Sequence, residues 1–167
     1  MNVTLKKWTL EDAEALMEIA NNVGRNYLSN RLPYPYTKAD ADWWLNMVRE
    51  QDGKEGIFRA VMLDDRIVGN ISIEKKSDVY EKDAEIGYML SESVKGRGIM
   101  TEAAKQICEI AFHEFDLLRI TGLVYQPNIA SQRVLEKSGF VLEGVMKDAV
   151  YKNGQVYDLC IYGRTRS

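Results

Sequence analysis

Apolar residues change their spacing several times along the chain, and each change predicts an element. Val3, Leu5 and Trp8 fall in a short strand-like run. After them Thr9 is placed to cap a helix in which Leu10, Ala13, Leu16, Met17 and Ile19 or Ala20 recur at helical spacing. Asn21-Asn22-Val23-Gly24 ends that helix, and "NYLSNRLPYPYT", broken by Pro33 and Pro35, predicts an irregular aromatic segment. Thr37 with Asp40 then reads as a capping box for a second helix carrying Trp43, Trp44, Met47 and Val48. From Ile57 the period becomes two: "IFRAVML", a turn at Asp64-Asp65, "RIVGNISIEKK" and "DAEIGYML" predict three strands in an antiparallel meander. A helix to about Glu114, a strand "RITGLVY", a helix from Asn128 to Lys137 and a hairpin about Asn153-Gly154 complete the pattern. The expectation is an α+β (α/β) fold with a mixed sheet, in one domain spanning 1–167.

Composition narrows the partners. The 25 acidic residues outnumber the 22 lysines and arginines, giving a net charge of -3, which argues against a surface that tracks nucleic-acid phosphates. Any anion site must be local. No stretch reaches the ~20 apolar residues of a membrane span, and the N-terminal run lacks the apolar segment of a signal peptide, so no membrane partner and a cytoplasmic location are expected. Cys108 and Cys160 are isolated in apolar surroundings and predicted to be buried small residues; no metal site is expected.

The stretch "SVKGRGIMTEAAKQ" sits between a predicted strand and a predicted helix. Gly96 and Gly98 allow backbone conformations closed to other residues and close approach of a ligand. First-turn N–H groups of the helix lack intrahelical acceptors, the helix dipole adds positive potential, and Lys95 and Arg97 add charge. This is either an anion-binding turn or a plain turn capped by Thr101 with solvated cations. The triphosphate loop GxxxxGK(S/T) and a full GxGxxG are absent, so neither a nucleoside triphosphatase nor a dinucleotide dehydrogenase is supported.

These residues resemble the GNAT superfamily of acetyl-CoA-dependent N-acetyltransferases, in the branch of the ribosomal-protein alanine acetyltransferases. The family signature (Gln or Arg)-x-x-Gly-x-(Gly or Ala) is similar to Lys95-Gly96-Arg97-Gly98-Ile99-Met100, after "AEIGYML" and before "TEAAKQICEIAF". A second segment, "NIASQRVLEKSGFVLEG", resembles the family's Asn-x-x-Ser followed by an EKxGF turn. Lys95 replaces the usual Gln or Arg, and Met100 a Gly or Ala. The resemblance implies a mostly antiparallel sheet of about seven strands flanked by about four helices, with acetyl-CoA as donor and no metal. It also implies pantetheine contacts along Tyr88, Met89 and Leu90, with pyrophosphate on the amides from Gly96 through Ile99 and Met100 to Thr101. Lys95 and Arg97 would be its charge partners, and Asn128 a further cofactor contact or simply a helix cap.

The chemistry expected of such a site follows from the acceptor. A protonated amine, of pKa ~10.4 for a lysine type or ~7.7–8.0 for an α-amine, must lose a proton before it attacks a thioester. Glu85, an acidic residue in a mostly apolar strand, is the candidate base, acting through a water as in many relatives. The tyrosine that many relatives use to protonate the thiolate is replaced by Leu135; Ser131 is the remaining candidate. The solitary His113 lies at a helix end and is not expected to act. The expected acceptor is a peptide N-terminal amine or a small amine, with a polyamine acceptor or a non-catalytic acyl-CoA-binding module as alternatives. A homodimer is a family-level expectation.

Overall fold

A capping box opens the second helix of the computed structural model, which describes residues 1–167. The Asp40 N–H donates to Thr37 Oγ1 at 3.2 Å and the Thr37 N–H donates to Asp40 Oδ2 at 2.9 Å. Two of the orphan donors of α2 (Lys38–Gln51) are thereby satisfied. Thr37→Ala is expected to lower unfolding free energy by about 1 kcal/mol, measured by denaturant titration. Thr9 behaves differently from the expectation. It caps a one-turn 3-10 segment, Leu10–Asp12, which leads into α1 (Ala13–Asn21). Leu10 stays 41% exposed because the tighter turn rotates it away from the face that buries Leu16 and Ile19.

The strands are β1 (Val3–Lys7), β2 (Gly56–Leu63), β3 (Arg66–Lys75), β4 (Asp83–Leu90), β5 (Arg119–Tyr125), β6 (Val141–Lys152) and β7 (Gln155–Thr165). They form one sheet in the order β1-β2-β3-β4-β5-β7-β6. The meander of β2, β3 and β4 is antiparallel throughout, and the single parallel pair, β4 with β5, is joined by α3 (Ile99–Glu114). The helix α4 (Ile129–Lys137) connects β5 to β6. Asn153 and Gly154 both have positive φ, 52° and 77°, as a type I′ turn between β6 and β7 requires.

Alternation along the strands divides the core. Ile57, Val61, Ile71, Ile73, Ala84 and Ile86 face α3 and α4 in the larger cluster. Phe58 and Ala60 face α1 and α2 in the smaller one. On that second face the central strands turn polar, with Asn70, Ser72 and Glu74 on β3 beside Glu85 on β4. A buried sheet face that becomes polar where strands diverge is where a site can form.

Candidate active site

β4 and β5 pair only from Asp83↔Arg119 to Ile86↔Gly122, then separate. The antiparallel register decides which backbone groups face the opening. The Lys76 N–H donates to Asp83 O and the Ser91 N–H to Val68 O, so odd-numbered β4 residues bond β3. Tyr88 and Leu90 therefore direct N–H and C=O into the gap, whereas the backbone of Met89 is turned to β3. The same reasoning on β5, from Gln126 N–H to Asp158 O and Arg166 N–H to Leu118 O, turns the C=O of Leu123 toward the gap from the other side, its N–H belonging to the last rung with Ile86. These are central strands with unpaired polar backbone, which a folded protein retains only where something else bonds to it.

The gap leads to the glycine turn. Gly96 and Gly98 both have φ of 77°, the left-handed region, and Gly98 is the N-cap of α3. No N–H from Gly96 to Thr101 donates to the chain; the first helical bond is Glu102 N–H to Gly98 O. Six consecutive amides are thus open at the positive end of a sixteen-residue helix. Met100, one of the two departures from the family signature, is 5% exposed and packs into the core beneath the turn, leaving its amide free. Thr101 is half-buried and Ile99 fully buried. Lys95 holds Glu92 at 2.7 Å, while exposed Arg97 has no ion-pair partner. A phosphate-bearing ligand fits this turn through its backbone, with Arg97 as the free cation.

Over the fork lies α4. A Cβ on Gly122, the last β5 residue paired with β4, would stand 2.7 Å from Leu135 Cδ1, so the two elements pack closely only because Gly122 lacks one. Leu135 is core. Ser131, one turn nearer the helix start, lies beside the opening. The Tyr88 hydroxyl is 2.5 Å from Ser131 Oγ, and burial pushes its pKa up to about 12, so it stays protonated. Asn128 caps α4: its Oδ1 accepts the Ser131 N–H at 3.2 Å, and its side-chain amino group remains without a partner.

On the α1–α2 face a cleft of about 190 Å³ opens against the same part of β4. Gly87 and Met89 form its floor, Trp44 and Phe58 a wall, and Asn70, Ser72 and Glu74 its polar side. Glu85 stands just outside, next to Glu74 in the β3–β4 register and two residues from Gly87. Its neighbour Asp83 is engaged by Lys76 at 2.7 Å and Thr121 at 2.8 Å; Glu85 itself has no ion pair or side-chain hydrogen bond. Burial raises the Glu85 pKa above the ordinary carboxylate value, with Glu74 and Asp83 adding to the rise against Lys76 and Arg31. The aromatic residues of the segment between α1 and α2 and of α2 itself scatter: Trp44 lines the cleft, Tyr36 is core, and Trp43 is 71% exposed. Tyr27 stacks edge-on against Tyr125 and Tyr157. His113 is exposed in the last turn of α3. Both cysteines are buried, and burial holds the Cys108 thiol up to about 11, too high for a thiolate nucleophile at neutral pH.

Sequence reasoning missed Asn70, Ser72, Glu74 and the Leu123 backbone. The signal for the first three was the alternation of "GNISIE", whose polar positions share a face.

Comparison with known proteins agrees with this geometry. Residues 2–141 match the family model described as acetyltransferase (GNAT) domain. The Bacillus subtilis (strain 168) protein named "Probable N-acetyltransferase YjcK" is 41% identical over 106 residues, 64% of this chain and 58% of that one. YdaF of the same organism, provisionally named a ribosomal N-acetyltransferase, is 31% identical over 167 residues, 96% of this chain and 90% of its own. Among solved structures, RimL, the ribosomal L7/L12 alpha-N-protein acetyltransferase in complex with coenzyme A, superposes with a TM-score of 0.86 at 23% identity. That match covers 99% of this chain and 94% of RimL. The chain belongs to the GNAT family of acetyltransferases, and is an N-acetyltransferase by class.

Proposed function

We propose that the protein moves an acetyl group from acetyl-CoA to a primary amine by direct attack while both are bound, the acceptor being a peptide N-terminus or a small amine. The observation that carries this reading is the fork itself. Unpaired backbone of Tyr88 and Leu90 runs toward six open amides on one side and adjoins a carboxylate-bearing cleft on the other. The pantetheine arm fits the first, its pyrophosphate the second, and the amine the third. The thioester belongs where the three meet.

Glu85 is the base in this account. It lies three residues from Tyr88, about 10 Å along an extended strand, so the proton reaches it through bridging water rather than by direct contact. Glu74 keeps a second negative charge at the cleft and favours the entry of an ammonium group. N–H groups facing the gap polarise the thioester carbonyl where negative charge develops. Asn128 contributes its free amino group, and Lys95 is secondary to Arg97 because Glu92 already neutralises it. The departing thiolate has little need of an acid, since a thiol pKa is ~8.5. Ser131, with its hydroxyl fixed by Tyr88, donates a hydrogen bond to it. Ser131→Ala is accordingly expected to lower kcat by less than the roughly hundredfold at the bottom of the range for general acid catalysis, with KM for acetyl-CoA little changed, in a steady-state thiol-release assay. A cytoplasmic, single-domain enzyme is part of the same reading. Amine-dependent release of CoA across a panel of peptides and small amines tests it; binding of acetyl-CoA without such release would make the chain a binding module.

A further inference from the structure

A second cavity, of about 230 Å³, lies on the other side of the segment between α1 and α2 and shares Ser29 and Leu32 with the acceptor cleft. Its charge is unusual for an acidic protein. Arg25 and Lys152 both line it, no carboxylate does, and neither cation forms an ion pair anywhere in the molecule. Lys152 comes from the tip of the β6–β7 hairpin and is 7% exposed. Its ammonium donates to the carbonyl oxygens of Arg25 and Leu28, leaving one of three protons unassigned. Arg25 donates to Ala20 O at 2.6 Å and Leu32 O at 2.9 Å and lies over the Tyr34 ring at 4.8 Å. Its Nε is buried with no partner. Burial and the adjacent Arg25 guanidinium also hold the Lys152 pKa below the ordinary lysine value. Two like charges are thus brought together with spare donors and no counter-charge, and a buried donor left unmade is costly.

We infer that this cavity is a subsite for a carboxylate carried by the acceptor. It rests on the acetyltransfer reading above: an amine held toward Glu74 and Glu85 and an anion held toward Arg25 and Lys152 describe one amphoteric acceptor passing over Ser29 and Leu32. The fit is to a peptide with an acidic residue near its free N-terminus or to a small amino acid. It opposes a polyamine, whose distal cation would meet Arg25 and Lys152.

The test uses pairs that differ only in the anion. C-terminally amidated Ala-Asp-Ala-Ala and Ala-Ala-Asp-Ala are compared with their Asn counterparts, and β-alanine with its amide, for binding by calorimetry in the presence of CoA and for CoA release from acetyl-CoA. An acidic member is expected to bind about tenfold tighter than its amide, as one charge-assisted hydrogen bond provides. Preference within the peptides or within the small pair identifies the source of the carboxylate. Lys152→Gln should abolish the preference. Because Lys152 also braces the loop, Asn153→Asp, which places a carboxylate in the cavity and keeps both cations, should abolish it as well. Acidic and amide members binding within twofold of each other, or a preference that survives Asn153→Asp, would overturn the subsite. Failure of every pair to release CoA would count against the acetyltransfer reading, while the difference in binding would still score the cavity.

Discussion

Glu85→Gln is expected to lower kcat about 10²–10³-fold, within the range for loss of a positioned base, while the Kd for acetyl-CoA stays within twofold. The amide fills the same place on β4 and disturbs neither the backbone that faces the gap nor the open amides of the turn. It cannot take a proton. The pH profile follows from the direction of the shift at Glu85. Burial raises its pKa, so the active, ionised form is lost as pH falls through a value above that of an ordinary carboxylate. The acid limb of kcat/KM for the amine, which reports the free enzyme, should lie correspondingly high in the native protein. In Glu85→Gln that limb should disappear, and the residual kcat/KM should keep rising with pH as more of the amine is neutral in solution. Glu74→Gln provides the contrast: Glu74 opposes Glu85 in the ladder and adds to its raised pKa, so its removal should move the acid limb downward and leave the limb present. An unchanged profile in Glu85→Gln would assign the proton to another group.

Gly98→Val is expected to raise the Kd for acetyl-CoA at least tenfold. Two effects combine here. Gly98 has a φ of 77°, where a β-branched side chain is strained, and the amides from Gly96 to Thr101 can approach a phosphate only while nothing projects above them. A Cβ at this position meets no atom of the chain within 4 Å, so it projects into open space, which the phosphates fill under the proposed reading. Gly53 separates the two effects. It has a φ of 81° and equally open space, but it lies in the turn before β2. Gly53→Val should impose comparable backbone strain, seen as a loss of thermal stability, without weakening acetyl-CoA binding in calorimetry. Equal weakening by both variants would reduce the effect at Gly98 to destabilisation.

Much of this architecture is legible in residue spacing because local and global preferences coincide. The alternation of "IFRAVML" and "DAEIGYML" matches strands that are buried on one or both faces, and Asn153-Gly154 supplies the two positive φ angles its turn demands. The glycine turn was readable for the same reason: Gly96 and Gly98 answer a backbone requirement that few other residues meet. The direction of Met100 was not readable from the motif. It depends on the helix phase that points Met100 into the core shared by α3 and the sheet. The acceptor side was the least legible. Lys152 reaches the Arg25 carbonyl across 127 residues, and Ser29 and Leu32 separate two cavities only after the segment between α1 and α2 has folded back. Nor could spacing show that Tyr88 and Leu90, rather than Met89, face the gap; that follows from which alternate residues β3 takes as partners. Leu135, conspicuous in sequence as a missing tyrosine, has a packing reason in the fold, since it closes α4 onto Gly122.

The central claim is direct transfer at the fork between β4 and β5. A single-turnover reaction, with enzyme in excess over acetyl-CoA, tests it most directly when quenched samples are weighed by mass spectrometry before and after addition of a peptide amine. The account predicts unmodified protein at every time, with CoA and acetylated amine appearing together only after the amine is added. Acetylated protein accumulating before the amine, or CoA released without acetylated amine, would contradict it.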